Sequence, residues 1–444
     1  MTNNTHLKIE DLNMYSEKFH ADKAALIAAN ASVSLGLSKS AQDYEAMRKL
    51  PNTFSLNLEQ GSITNQKSSG RCWLFAALNV FRYEMMKKWN LKDFELSQNY
   101  MYFWDKLEKC NYYLNTMIKT VEEPIDGRLF SFLNTNPIND GGQWDMFANI
   151  VSKYGVVPLE AYPDSANSIA SRDFTEYLTS LLREYGFHIR EAVSAGKDPY
   201  SLKEEMMNTI YRILCIVLGE PPKTFDFTLR DKDDNVTQDF NITPLEFYQK
   251  YIGLNMDDYI SLIHAPSDDK PMNQTYTVEY LGNVSDGKPV KYLNVNMDVI
   301  KKAAICQIQG GHPVWFGSDC TKFYVRKDGI FDRASFNIEA LFGIEYQFTK
   351  GQRLMYGDSA MNHAMVLLGV NLDEKGMPDR WRIENSWGKD SGRDGYFTAS
   401  DGWFDEFVYQ VVLDKKYLDE AIVKQFDTEP VVLKPWDPMG SLAD

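Results

Sequence analysis

The 444-residue sequence contains no long hydrophobic run, and nothing in it approaches the roughly 18 consecutive apolar residues of a membrane-spanning helix. A helical membrane anchor is therefore not expected. Cysteine is scarce: Cys72, Cys110, Cys215, Cys306 and Cys320 are odd in number and widely scattered, without the close pairs of a metal site or the density of a disulfide framework. Reduced thiols in a reducing compartment fit best. The opening MTNNTHLKIEDL has neither the basic flank nor the apolar core of a secretory signal, so a cytoplasmic protein is expected. Positive charge is also short, 47 Lys and Arg against 62 Asp and Glu, for a net charge of −15. Such a surface repels phosphates and argues against nucleic acid or an anionic membrane as partner. What remains is ordinary for a globular protein, with 44% hydrophobic and 25% charged residues, and long enough for two or three packed units.

One cysteine has an unusual setting. In SSGRCWLFAALNVF, Ser68 to Phe81, a polar turn delivers Cys72 to an apolar run, and no Gly or Pro occurs from Arg71 to Leu114. A long helix beginning at or just before Cys72 is expected, apolar all round and so buried between layers. A thiol at a helix N-terminus meets backbone N–H groups and the positive end of the macrodipole, which favour its thiolate. The other four cysteines read as small apolar residues, Cys215 in ILCIVL most clearly.

Three further segments add partners. Gln66 stands six positions before Cys72, His363 lies in MNHAMVLLGV, and Asn385 lies in WRIENSWG. In the first downstream segment His363, Met365, Leu367 and Gly369 share one face of an expected strand. In the second, Trp381, Ile383, Asn385 and Trp387 alternate with Arg382 and Glu384. Both polar side chains then point where core residues point, which suits a His held by an Asn between neighbouring strands. His312, between a Gly pair and Pro313, reads as a turn residue.

With Gln66, Cys72-Trp73, His363 and Asn385-Ser386-Trp387-Gly388 in that order, the sequence resembles the papain-like cysteine proteases. Within them, NQKSSGRCWLFA, NDGGQWDM, TPLEFY, MNHAMVL, ENSWG and PWDPMGSLAD are similar to the bleomycin hydrolase and aminopeptidase C family. Ser69 and NDGG stand where secreted papain-like enzymes carry a disulfide, which matches a cytosolic home. The gap from Cys72 to His363 (363 − 72 = 291) is about twice the roughly 130–150 residues of papain and cathepsins, so a large insertion is expected.

The resemblance implies an α+β, papain-like two-lobe cysteine protease fold: a helical lobe, an antiparallel β-barrel lobe and a large helical insertion. The expected divisions are an N-terminal helical extension over 1–55, the helical lobe over 56–165, the insertion over 166–290, the β-barrel lobe over 291–430 and a C-terminal tail over 431–444. The first contains an amphipathic helical stretch, and no propeptide-length leader precedes Cys72. A helix ending at Gly155, two helices and a hairpin in the insertion, and a capped start at Thr243-Pro244 with Glu246 are read from the residues themselves. The insertion carries no catalytic cluster; it is either an arm joining a homohexamer, as the resemblance implies, or a decorative surface domain.

The implied chemistry is hydrolysis of peptides through a thioacyl-enzyme, with no metal or organic cofactor. Cys72 would be the nucleophile, His363 the base and then acid, Asn385 the group that orients the ring, and Trp387 its shield. The Gln66 side chain and the Cys72 backbone N–H would form the oxyanion hole. Gly141 and Gly142 either line the cleft, where missing side chains let a substrate backbone approach, or make only a tight turn. The tail would lie in the cleft, with a carboxylate on Ala443 or Asp444 receiving a substrate's ammonium. The leading reading is thus a cysteine aminopeptidase of the bleomycin hydrolase kind. An oligopeptide endopeptidase on the same scaffold and a non-catalytic scaffold or nucleic-acid binder are the alternatives.

Overall fold

The computed structural model describes residues 6–443. Two helices open it, α1 (Ile9–Ala21) and α2 (Lys23–Leu35), where one amphipathic stretch is expected. Asp22 makes the break: its carboxylate accepts from the amides of Ala24 and Ala25 and caps the second helix. After a short strand, β1 (Leu56–Asn57), the chain enters helix α3 (Cys72–Lys88), in which every residue from Cys72 to Arg82 is buried. The helix is shorter than the Gly- and Pro-free run suggests. Asn90 takes a positive φ of 51°, and Ser97 starts a separate helix, α4 (Gln98–Lys119), by accepting from the Tyr100 amide.

Helix α5 (Trp144–Tyr154) stops at Gly155 as expected, with φ 71° and an amide that donates to Val151. Helices α6 (Arg172–Ser194) and α7 (Pro199–Leu218) pack on α4, and the hairpin β2 (Phe225–Arg230) and β3 (Val236–Ile242) follows. Thr243 and Glu246 form the capping box, but the α-helical part lasts only from Pro244 to Phe247 before a π-helical turn takes over.

The second layer is a twelve-stranded sheet, into which β1 is paired. Its members are β4 (Tyr259–Ile263), β5 (Gln274–Val278), β6 (Tyr292–Asn294), β7 (Val314–Ser318), β8 (Tyr324–Val325), β9 (Ile330–Phe331), β10 (His363–Leu372), β11 (Pro378–Glu384), β12 (Tyr396–Ser400), β13 (Val408–Asp414) and β14 (Val431–Leu433). The order is β14-β5-β6-β4-β13-β7-β10-β11-β12-β9-β8. The middle, from β4 to β12, is antiparallel, and parallel pairs occur toward the margins at β4/β6, β5/β14 and β9/β12. The sheet reaches back beyond the boundary expected at residue 290, because β4 and β5 come from within 166–290, and forward past 430, because β14 belongs to the tail. Among the described residues no helix is long and apolar enough to cross a membrane.

Helix α3 lies against β7 and β10, and the Trp315 indole donates to the Trp73 carbonyl. Helix α3 covers one face of the central strands and the helices Met297–Gln309 and Asp401–Phe407 cover the other, so both faces are buried. The alternation that should turn Glu384 outward therefore does not: Glu384 is 1% exposed and meets Arg82 of α3 at 3.1 Å. Cys110 and Cys320 are buried, whereas Cys215, expected to be the clearest core cysteine, is only partly so.

Candidate active site

Packing α3 against the start of β10 places Cys72, the first residue of its helix, beside His363, the first residue of its strand. The amide of Ala364 lies 3.5 Å from Cys72 Sγ and donates to it. His363 Nε2 is 2.9 Å from Asn385 Oδ1, an oxygen that also accepts from the Ser386 amide. Because that oxygen can only accept, Nε2 carries the proton and Nδ1 is left as the basic nitrogen. Trp387 stacks on the imidazole with centroids 5.0 Å apart, and the Arg326 guanidinium sits 4.9 Å from the Trp387 ring. Burial pushes the His363 imidazole down to about 4, against the upward pull of its bond to Asn385. A protonated ring here needs an anion next to it.

Gln66 joins the same cluster. Its Nε2 donates to the Ser69 carbonyl at 2.7 Å, its Oε1 accepts from Ser386 Oγ at 2.7 Å, and its amide donates to the Ser386 carbonyl. The side chain is thereby fixed between the turn before Cys72 and the residue after Asn385, with a second amide hydrogen left on Nε2.

The tail lies in the space between the lobes. Ala443 is fully buried and forms an antiparallel bridge with Gly142, whose amide donates to the Ala443 carbonyl at 3.2 Å. Gln143 Nε2 donates to the Ser441 carbonyl at 2.7 Å, and Ser441 Oγ donates to the carbonyl of Met361, two residues before His363, at 2.6 Å. Asp444 lies outside the described residues.

The description of the Peptidase C1-like family matches residues 6–440. The chain belongs to that family. Several relatives match it over nearly their whole length. The Aminopeptidase C of Listeria monocytogenes is 47% identical over 439 residues, 99% of both chains. The bleomycin hydrolase of Gallus gallus is 42% identical over 454 residues, 99% of this chain and 100% of its own. The crystal structure of PepW from Lactobacillus rhamnosis has 43% identity and a TM-score of 0.97, covering 99% of this chain and 100% of that one.

In this C1-like peptidase the glycine pair has a role beyond making room for a backbone. A Cβ on Gly142 would lie 2.5 Å from the Trp73 ring, so the side chain is absent because Trp73 packs there. Gly141 offers its carbonyl to Lys109 Nζ at 2.6 Å.

The residues that hold this loop escaped the sequence reading. Asp140 meets Lys106 Nζ at 2.6 Å, accepts from Tyr102 and Ser171 hydroxyls and from the Gly70 amide, and gives its carbonyl to the Trp73 indole. Burial pushes its carboxyl up, but Lys106 and the hydroxyl donors outweigh that and hold it well below the usual range. Lys109 pairs with Asp105 at 2.7 Å, and Arg71 pairs with Asp164 at 2.7 Å while its Nε donates to Ser69. The turn before Cys72 and the loop that receives the tail are thus held together by buried charge. No local signal marked them: α4 also carries Glu108, Asn111, Asn115 and Lys119, so its sequence does not single out Asp105, Lys106 and Lys109. His312, by contrast, is a turn residue as expected, with Nδ1 2.7 Å from Glu84 Oε1.

Proposed function

We propose that this peptidase is a cysteine aminopeptidase in which Cys72 attacks the carbonyl of a peptide's first residue while the tail bars longer segments from that side of the cleft. His363 Nδ1 takes the thiol proton, and the imidazolium so formed is offset by the thiolate at the α3 N-terminus. The ring later donates its proton to the leaving amine, and water hydrolyses the thioester. Asn385 holds the tautomer, and Trp387 keeps solvent from the His363–Asn385 bond. Gln66 Nε2 and the Cys72 amide stabilise the oxyanion, so Gln66→Ala should lower kcat about 10²–10³-fold.

The observation that carries the exopeptidase reading is the Gly142–Ala443 bridge. It fills with the chain's own tail the backbone-pairing position that an endopeptidase would leave to its substrate. An amine at the substrate's end, facing the tail, is the group such a closed site would receive, so peptides with a free N-terminus are the substrate class. Relatives named for aminopeptidase activity and for bleomycin hydrolysis support this reading. The deciding assay uses a fluorogenic peptide and its N-acetylated twin with wild type and Cys72→Ala. Cleavage of the unblocked peptide alone, by wild type alone, is expected; internal cleavage of the acetylated peptide by wild type would return the endopeptidase.

A homohexamer and a cytoplasmic home complete the proposal, the first through helices α6 and α7, whose outer faces expose Tyr177, Phe187, Tyr200 and Ile216. Light scattering behind a sizing column is expected to give a mass near six chains, and a monomer would remove that part.

A further inference from the structure

We infer that Ser441, held simultaneously by both lobes, is the residue that fixes how far the end of the tail reaches into the cleft and hence how many residues are removed per cut, an inference that rests on the tail-limited reading above. The helical lobe grips it through Gln143 Nε2, which donates to its carbonyl at 2.7 Å, and the sheet lobe grips it through Met361, whose carbonyl accepts from its hydroxyl at 2.6 Å. Gln143 is 1% exposed, and its Oε1 is buried with no hydrogen-bond partner. A buried amide that leaves one end unsatisfied in order to aim the other at the tail is being spent on orientation.

Packing anchors the tail on either side of Ser441, at Met439, whose carbonyl also accepts from the Tyr292 hydroxyl, and at Ala443, but it does not fill the space alongside. A cavity of about 390 Å³ lies along it, lined by Gly440 and Leu442 from the tail and by Phe132, Leu133, Tyr280 and Leu281 around it. The one backbone bond at Gly142 is indifferent to which residue supplies the carbonyl. Only one residue follows Ala443, so a tail drawn back from the cleft leaves Gly142 without a tail carbonyl and frees that amide to pair with a substrate's backbone. A retreat of about one residue, roughly 3.3 Å, would open room for a second substrate residue ahead of the cut, so that dipeptides are released. Ser441 and Gln143 are therefore positioning residues, acting on the substrate only through the tail.

The test uses the full chain as Ser441→Ala and as Ser441→Ala with Gln143→Leu, with an unblocked hexapeptide whose products are read by mass spectrometry. Wild type should release single residues. The double variant should raise the ratio of dipeptides to single residues about tenfold or more, as loss of two buried hydrogen bonds implies, while alkylation of Cys72 by iodoacetamide stays within about twofold of wild type. Unchanged product lengths in the double variant overturn the inference. If alkylation shows that the double variant has lost its fold, Ser441→Ala alone decides: a dipeptide ratio raised about threefold supports the pin, and no change overturns it. Internal cleavage of an acetylated peptide by wild type would instead sink the aminopeptidase reading, and the pin would then stand or fall on whether the variants lengthen the products further.

Discussion

Burial leaves the His363 imidazole in surroundings that oppose its charge, against the pull of its bond to Asn385, and this has a consequence for stability that does not involve substrate. In Cys72→Ala, where no thiolate is available, the ring sits at about 4 in the folded chain and near 6.5 in the unfolded one. Between those pH values the unfolded chain binds a proton that the folded chain refuses. Stability conferred by His363 is therefore complete above pH 6.5 and falls as pH drops toward 4, by roughly 3 kcal/mol in all. Urea midpoints of Cys72→Ala at pH 4.5 and 7.5, set against those of Cys72→Ala with His363→Gln, should show a steeper loss in the variant that keeps the ring. At this scale the sequence was informative because Gln66, Cys72, His363, Asn385 and Trp387 each stand in a short motif, and the structure brings those motifs together. It was silent on Asp140 and Lys106, since a buried ion pair between a helix and a remote loop leaves no local pattern, and on Lys109, whose i,i+4 pairing with Asp105 looks the same in sequence as a surface pair.

Elements were legible where a single local signal decides them and illegible where two elements negotiate. Gly155, the Thr243 capping box and the β2–β3 hairpin stand where their turn residues require. The break between α3 and α4 does not depend on Gly or Pro; it is made by Asn90 in a left-handed conformation and by the Ser97 cap. The loop ending at Gly142 is an element whose shape is set by what it touches. Gly142→Ala would press a methyl group to within 2.5 Å of the Trp73 ring. Relief requires the loop to move off α3, so a stability loss of about 1–3 kcal/mol is expected together with a weakened grip on Ala443. Thermal melting should register the first effect, and the second should appear as new cleavage of an acetylated peptide.

The molecule as a whole is organised around a junction that neither lobe owns. Arg82 and Glu384 meet there with 1% exposure or less, joining α3 to β11, and Gln60 donates to the same carboxylate at 3.0 Å. Glu384→Ala would strand the guanidinium, so a loss of about 3–5 kcal/mol is expected, measurable as a lower urea midpoint; Glu384→Gln should lose less. The two-layer division was readable from motif order, but the extent of the sheet was not, because β4, β5 and β14 are short strands whose residues suit a sheet but which lie outside the segment that carries the other strands. Strand order also governs timing. β13 lies between β4 and β7, so the sheet that supports His363 cannot close until residue 414 has been synthesised. Ser441 follows only 27 residues later (441 − 414 = 27), about 1–5 s at ribosomal speed. On the tail-limited proposal, a released chain truncated between residues 414 and 441 would hold every strand around His363 without the segment that fills the cleft, and cleavage of blocked peptides is expected of it.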